Sequence, residues 1–256
     1  MAKCILCTFL LVVLGTSSLS AAGELPPSKL SHSCQLAPNQ KRSLRGPIPR
    51  PMQLIIDNRF NEDQKKEISR AAASWNKVGL QIAGQNFFDI LYGDIPLSIA
   101  NMTNFDCGGQ FGGSTFTYVV NVTSDKLWTS MKLGEDGTPG FTSPAEVHSC
   151  TNPISFEFSQ QVVRIYSSIV IFTQLQTIVL HELGHALGLN HSCDGDPHDA
   201  SADYISCQKI SPNHPYHLAV MYPSLMKRRP NTPFPEQKLT PTANDISRLE
   251  CLYGPK

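Results

Sequence analysis

The sequence predicts an α+β domain, because strand-like and helical segments both occur and neither dominates. A short apolar run, Met52–Ile56, has the length of a buried strand. Residues 80–122 contain further strand-like runs, such as Ile95–Ile99 and Thr115–Val122, broken by glycines and polar turns. Three segments carry the signals of helices, at about 62–75, 173–187 and 240–252.

The helices are predicted from their caps and their apolar faces. Asn61 can cap the first helix, whose apolar residues at helical spacing are Ile68, Ala71, Ala72 and Trp75. Thr173 and Gln176 fit a capping box at the start of the second helix. Pro241 suits the first position of the last helix, where one face would bury Ile246, Leu249 and Leu252.

Composition and the N-terminus indicate an exported single domain. The chain has 256 residues, a formal net charge of zero and no block of like charge, so a nucleic-acid partner is not expected. Residues 1–22 resemble a secretory signal peptide, with Lys3 before an apolar run and small residues at 20–22. The run is too short to span a bilayer of about 30 Å. Residues 23–46 would be a short leader or arm, and residues 47–256 the main domain.

The cysteines also indicate export. Eight are present, and loss of Cys4 and Cys7 with the signal peptide leaves an even number, which suggests disulfides throughout. Many pairings are open. Cys193–Cys207 is favoured because it would close a short polar loop, and Cys107–Cys150 and Cys34–Cys251 then follow by elimination.

Three histidines in one short segment predict a metal site. His181 and His185 are four positions apart on the second predicted helix, so their rings point the same way, one turn apart. A catalytic zinc ion takes three protein ligands and leaves one position open. His191 cannot be the third ligand from the same helix, which would carry it about 9 Å further and about 240° around. Gly188 stands where the chain must turn back, because glycine tolerates a left-handed backbone.

Glu182 is the candidate for proton transfer. It is next to a ligand in sequence but turned about 100° from it on a helix, so it would reach a water on the metal and not the metal. Zinc lowers the pKa of such a water to about 7, and Glu182 would act as general base and then as general acid. A helix whose histidines cover a core and a purely structural zinc are the alternatives. The carboxylate and the open fourth position favour catalysis.

The segment His181–His191, HELGHALGLNH, resembles the metzincin signature H-E-x-x-H-x-x-G-x-x-H of zinc metalloproteases. Met221, in the sequence Ala-Val-Met-Tyr-Pro, resembles the Met-turn of that family, a methionine that packs beneath the zinc ligands. Ser192 directly after the third histidine is similar to the matrixin branch, the matrix-metalloproteinase type. The ending from Asn244 to Gly254 is similar to the closing helix of matrixin catalytic domains.

The resemblance implies a metzincin catalytic domain with a twisted, mostly parallel five-stranded sheet and three helices. It also implies that Pro223, Ser224 and Leu225 contribute to substrate binding and that one zinc ion is the cofactor. The expected protein is a secreted (or periplasmic) zinc-dependent endopeptidase, in which a zinc-activated water attacks the peptide bond. Its expected substrates are proteins or peptides, and it is expected to be a monomer. The alternative is a non-catalytic secreted binding protein on a metzincin scaffold, with the zinc site kept for stability.

The sequence departs from the matrixin pattern at several places. The leader has no cysteine-switch motif, and the His-x-Asp pattern of the structural-zinc and calcium segment is absent between 100 and 160, where His148 stands alone. Calcium remains a second candidate cofactor through the acidic cluster Asp194, Asp196, Asp199 and Asp203, although a solvated turn explains it as well. Asn101 and Asn121 begin glycosylation acceptor sequences. The remaining histidines are expected at the surface, namely His198, His214 and His217.

Overall fold

A twisted five-stranded sheet forms the centre of the computed structural model. The structure describes residues 51–100, 116–122, 144–151, 158–167, 174–193, 207–223 and 237–254, all within one compact unit, Ser31–Lys256. The strand order is β2-β1-β3-β5-β4, and every neighbouring pair is parallel except β4 with β5. The strands are β1 (Met52–Asp57), β2 (Phe88–Gly93), β3 (Phe116–Asn121), β4 (Ala145–Thr151) and β5 (Phe158–Ile165). The predicted α+β class with a mostly parallel five-stranded sheet is therefore confirmed.

Within the described residues, three long helices lie where the sequence predicts them, and two single-turn α-helices and a 3₁₀ turn at Cys207–Lys209 are additional. The helices are α1 (Glu62–Ala83), α2 (Leu97–Ala100), α3 (Leu175–Ala186), α4 (Pro215–Leu218) and α5 (Ala243–Tyr253). The prediction of a strand over Ile95–Ile99 is wrong, because α2 begins there. The carbonyl of Pro96 accepts hydrogen bonds from the backbone N–H groups of Ile99 and Ala100, and proline is pre-organised for the start of a helix.

Asn61 caps α1 as predicted. Its side chain accepts a hydrogen bond from the backbone N–H of Gln64 at 2.9 Å, and the Gln64 side chain accepts one from the Asn61 N–H at 3.0 Å. The helix continues beyond Trp75 to Ala83 and ends at Gly84, which has a φ of 69°. It is longer than predicted because its buried face continues through Val78 and Gly79.

The starts of the other two long helices differ from the predictions. The N-cap of α3 is Gln174 and not Thr173, and the side-chain amide of Gln176 donates to the carbonyl of Leu239 at 3.4 Å. Thr173 lies outside the described residues. The N-cap of α5 is Thr242 and not Thr240, because the Asp245 carboxylate accepts hydrogen bonds from the Thr242 N–H and hydroxyl at 2.9 and 2.8 Å.

The main core lies between one face of the sheet and the helices α1, α3 and α5. Trp75 is fully buried there, and its indole Nε1 donates to the carbonyl of Leu180 on α3 at 2.8 Å. Neighbouring residues on a strand point to opposite faces of a sheet. Val163 accordingly joins this core, while Val162 joins a smaller apolar cluster on the other face, with Ile95, Ala100, Val120 and Cys150.

The predicted disulfide Cys193–Cys207 is confirmed, with Cα atoms 5.1 Å apart. Cys150 and Cys251 are disulfide-bonded as well. Their predicted partners, Cys107 and Cys34, lie outside the described residues, as do the signal peptide and leader at 1–46. Within the described ranges, no helix is both long enough and apolar enough to cross a membrane.

We expect Asn61→Ala to destabilise the protein by about 1 kcal/mol, because α1 would lose the side-chain acceptor at its first turn. Urea denaturation followed by circular dichroism measures this loss. Asn61→Ser is the matched control, since serine is also a good N-cap and would keep most of the stability. Equal stability of the alanine variant and the wild type would contradict a role for the cap.

Candidate metal centre

The three predicted ligands converge in the structure. His181 and His185 lie one turn apart on α3, and His191 follows the helix after a turn. One potential ligand atom from each histidine can be chosen so that all three atoms lie within 4.8 Å of one another. The ring centroids are 4.8 to 5.3 Å apart. Within the described part of the chain, these histidines form the group that could hold a metal ion.

Gly188 ends α3 and turns the chain back, as the spacing predicts. Its φ is 86°, in the left-handed region that favours glycine. Its N–H donates to the His185 carbonyl at 2.8 Å, and the N–H of Leu189 donates to the Gly184 carbonyl at 2.9 Å. These two bonds define a Schellman motif, a helix ending that reverses the chain direction. The motif brings His191 back towards the two helical histidines.

Hydrogen bonds fix the rings of the two helical ligands. Nδ1 of His181 lies 2.7 Å from the carbonyl oxygen of Val220, and Nδ1 of His185 lies 2.7 Å from that of Leu189. A carbonyl oxygen can only accept, so each Nδ1 carries the proton. Nε2 of each ring is therefore a free electron-pair donor, which is the arrangement that metal-binding histidines use.

Burial keeps all three imidazoles neutral. Desolvation lowers the pKa of His181 well below its usual value, and the neighbouring His185 and His191 lower it further. Desolvation and the nearby His191 lower the pKa of His185 to about 4. Desolvation and the Arg248 charge lower the pKa of His191 to about 4. Zinc binds neutral imidazole, so the donor set fits a zinc ion at neutral pH.

Glu182 lies on the same helix and is buried, with 7% of its surface exposed. As the residue after His181, it projects about 100° around the helix axis from that ligand. This places a carboxylate beside the ligand set without making it a member of the set.

Met221 packs against α3 between the two helical histidines. It is fully buried, and a Cβ on Gly184 would lie 2.3 Å from its Sδ and 3.1 Å from Cζ2 of Trp75. No real side chain tolerates the first distance. Gly184, which comes directly before His185, therefore leaves the space that the methionine occupies.

Asp245 holds in place the turn that carries Met221 (the methionine turn, residues 219–222), a role that the sequence analysis missed. Its carboxylate is fully buried and accepts from the backbone N–H groups of Val220 at 2.9 Å and Met221 at 3.2 Å. The Met221 carbonyl accepts from the Ser192 N–H at 2.8 Å. The signal available in the sequence was the Thr242-x-x-Asp245 capping pattern, which identifies the helix start but not the second set of partners.

The remaining predicted residues are partly exposed, outside the described ranges, or histidines that lie apart from the ligand group. Pro223 follows the methionine turn and is partly exposed, whereas Ser224 and Leu225 lie outside the described residues, as do His198 and the acidic cluster at 194–203. His214 caps α4 through a bond from the Tyr216 N–H, and the ring of His217 packs on Tyr222 at 4.4 Å. His148 contacts Glu146 at 3.0 Å. None of these three histidines belongs to the ligand group found among the described residues.

The acceptor sequence at Asn121 lies at a buried position. The residue has 4% of its surface exposed, and its amide nitrogen donates to the carbonyl of Arg59 at 3.2 Å. A glycan on this nitrogen would displace that bond and the packing around it. Asn101, the other predicted acceptor, lies outside the described residues.

Comparisons with known proteins give a distant structural likeness. No family model matches the chain, and no curated protein matches its sequence. Among solved structures, the chain is similar to high choriolytic enzyme 1, a hatching-enzyme zinc protease from Oryzias latipes (medaka fish). The sequence identity is 15% and the TM-score 0.39, over 84% of this chain and 96% of that chain. A likeness this distant assigns no function, which has to come from the side chains themselves.

We expect Gly188→Ala to weaken zinc binding by about tenfold, because about 1–2 kcal/mol of strain at a left-handed backbone would relax by moving His191. Competition with a chelating dye measures the affinity. Gly84→Ala is the matched control: its φ is 69°, and an added Cβ there would meet nothing within 4 Å. Both variants lose stability, and only the first loses zinc affinity. Equal zinc affinities would contradict this account of the turn.

We expect Gly184→Ala to destabilise the protein by about 1–3 kcal/mol, because its Cβ would overlap Met221. The midpoint of urea unfolding measures this effect. Gly93→Ala on β2 serves as the control, since its Cβ would come no closer than 3.4 Å to Cγ2 of Ile55. A midpoint unchanged from the wild type would show that the methionine does not occupy the space beside Gly184.

Proposed function

We propose that the protein is a secreted zinc-dependent endopeptidase of the metzincin type. The observation that carries the proposal is the convergence of His181, His185 and His191 within 4.8 Å, two of them with Nδ1 bonded to carbonyls. Three neutral imidazoles on one side of an ion leave a position open, which is typical of catalytic zinc and not of structural zinc. When bound, zinc polarises a carbonyl group and makes water acidic enough to attack it at neutral pH.

Glu182 supplies the proton transfer. Its carboxylate takes a proton from the attacking water and then gives it to the amine that leaves when the peptide bond breaks, so no proton is gained or lost overall. Glu182 follows His181 directly and so lies beside the ligand group without belonging to it. This supports the role, because a carboxylate bound to the metal would not be available to accept a proton. Burial of the side chain, which is 7% exposed, keeps bulk water from competing for that proton.

The matrixin branch is the finer part of the proposal. Ser192 after the third ligand and the sequence Met221-Tyr222-Pro223 support it. This assignment gives Pro223, Ser224 and Leu225 a role in substrate binding. The substrates are proteins or peptides, and the chain acts as a monomer. The disulfide Cys193–Cys207 supports export to an oxidising compartment.

We expect one zinc ion per chain, and we expect Glu182→Gln to keep the ion while kcat/KM for peptide cleavage falls by about 100- to 10,000-fold, the usual contribution of general acid–base catalysis. Metal analysis and a peptide library with mass-spectrometric readout measure the two quantities, with and without chelator. Glu62→Gln is the matched control, because that carboxylate is on the surface of α1 with 89% of its side chain exposed.

The outcomes separate the parts of the proposal. Cleavage at the wild-type rate by Glu182→Gln would remove the assigned role of Glu182. A zinc-loaded wild type that cleaves no protein or peptide would favour the alternative, a binding protein that keeps the metal for stability. Cleavage that persists after complete removal of zinc would contradict the metalloprotease assignment itself.

A further inference from the structure

Arg248 on α5 contacts the backbone that carries the third ligand. Its Nη2 donates to the carbonyl of Asn190 at 2.9 Å and lies 3.4 Å from the carbonyl of His191. The two contacts bridge residues that are 58 and 57 positions apart in the sequence. The arginine therefore fastens the last helix to the segment after Gly188, which we call the ligand loop (residues 189–191).

His191 depends on its backbone more than the other two ligands do. His181 and His185 stand on a helix, and the Nδ1 atom of each ring bonds to a carbonyl oxygen. The ring of His191 makes no such bond to the described residues. Among the described residues, its ring contacts only those of the other two histidines, so the backbone of the ligand loop contributes most to its position.

The contacts of the loop show which side chain does this. The Leu189 carbonyl accepts from His185, which is itself a ligand. Arg248 contacts the carbonyl directly before the third ligand, that of Asn190, and the carbonyl of His191 itself. Both contacts come from one nitrogen, Nη2, which carries two N–H groups and can therefore serve two neighbouring carbonyls.

We propose that Arg248 is a positioning residue that fixes His191 in the metal site by holding the ligand loop. The proposal rests on the proposed metal site. Asp245, one turn earlier on α5, binds the backbone N–H groups of the methionine turn. On one helix, the carboxylate of Asp245 thus accepts from the N–H groups of the methionine turn, and the guanidinium of Arg248 donates to the carbonyls of the ligand loop. α5 sets the spacing between the two segments that flank the ion.

The positive charge of Arg248 could also repel a bound zinc ion. Repulsion would lower the zinc affinity, whereas positioning of His191 would raise it. If Arg248 acts by its charge, removing the charge would strengthen zinc binding. If it acts by position, removing the donors would weaken zinc binding. Arg248→Lys keeps the charge but replaces Nη2 by the ammonium group of a different side chain, while Arg248→Met loses both the charge and the donors. Comparison of these two variants distinguishes position from charge.

The experiment measures three properties of the full chain for both variants. These are the rate of zinc release to excess chelator, the absorption spectrum after cobalt(II) substitution, and amide hydrogen exchange at residues 189–192 in the metal-free protein. Arg70→Met is the control, since that arginine is on the surface of α1 with 53% of its side chain exposed. The urea midpoint of each variant reports stability separately.

We expect Arg248→Met to release zinc about 10- to 100-fold faster, the range seen when a partner outside the ligand set is removed. Its loop amides should exchange faster and its cobalt spectrum should change, with Arg248→Lys between it and the wild type. Wild-type loop exchange and a wild-type cobalt spectrum in Arg248→Met would overturn the proposal, as would slower zinc release. If Arg248→Met does not fold, the same readouts on Arg248→Lys decide. A wild type that binds no zinc refutes the metal site, and loop exchange still tests the contact of Arg248.

Discussion

The structure around the histidines depends on one constraint: α3 must stop directly after His185, and its last carbonyls must still find donors. A buried carbonyl without a partner costs about 1–3 kcal/mol. The turn at Gly188 satisfies the carbonyls of Gly184 and His185. Side chains from distant elements satisfy those that follow. Gln161 on β5 donates to the Ala186 carbonyl at 2.9 Å, and the Tyr253 hydroxyl on α5 donates to that of Leu187 at 2.8 Å.

Through these donors, both the sheet and α5 help to fix the end of α3 next to the histidines. Gln161 is fully buried and also accepts from the hydroxyl of Thr117 on β3, so the central strands of the sheet are connected to the end of α3. Burial raises the pKa of Tyr253, so its hydroxyl remains a donor at every physiological pH. From the other side, Asp245 positions the methionine turn. The same helix, α5, thus contacts both the methionine turn and the ligand loop.

The sequence predicts what is local in this arrangement. The histidine spacing, the break at Gly188 and the cap at Asn61 follow from interactions between residues only a few positions apart. Asp245 and Gln161 could not be recognised in the same way, because their partners on the methionine turn and on α3 are 24 or 25 positions away. The misplaced start of α5 has a different, local cause: Asp245, three positions after Thr242, selects Thr242 as the cap, and the capping pattern was present in the sequence. The prediction over Ile95–Ile99 fails differently, because an apolar run with one proline does not distinguish a strand from a helical turn.

The carbonyl contacts at the end of α3 have a consequence for how the protein acquires its ion. The bonds that shape the ligand loop join protein groups to other protein groups, from the sheet, from α5 and from the turn at Gly188. Small zinc domains differ, because there the ion supplies the folding energy and its removal unfolds the chain. Here the bonds that shape the ligand loop need no ion as a partner. We therefore expect the loop to keep its shape before any metal ion binds.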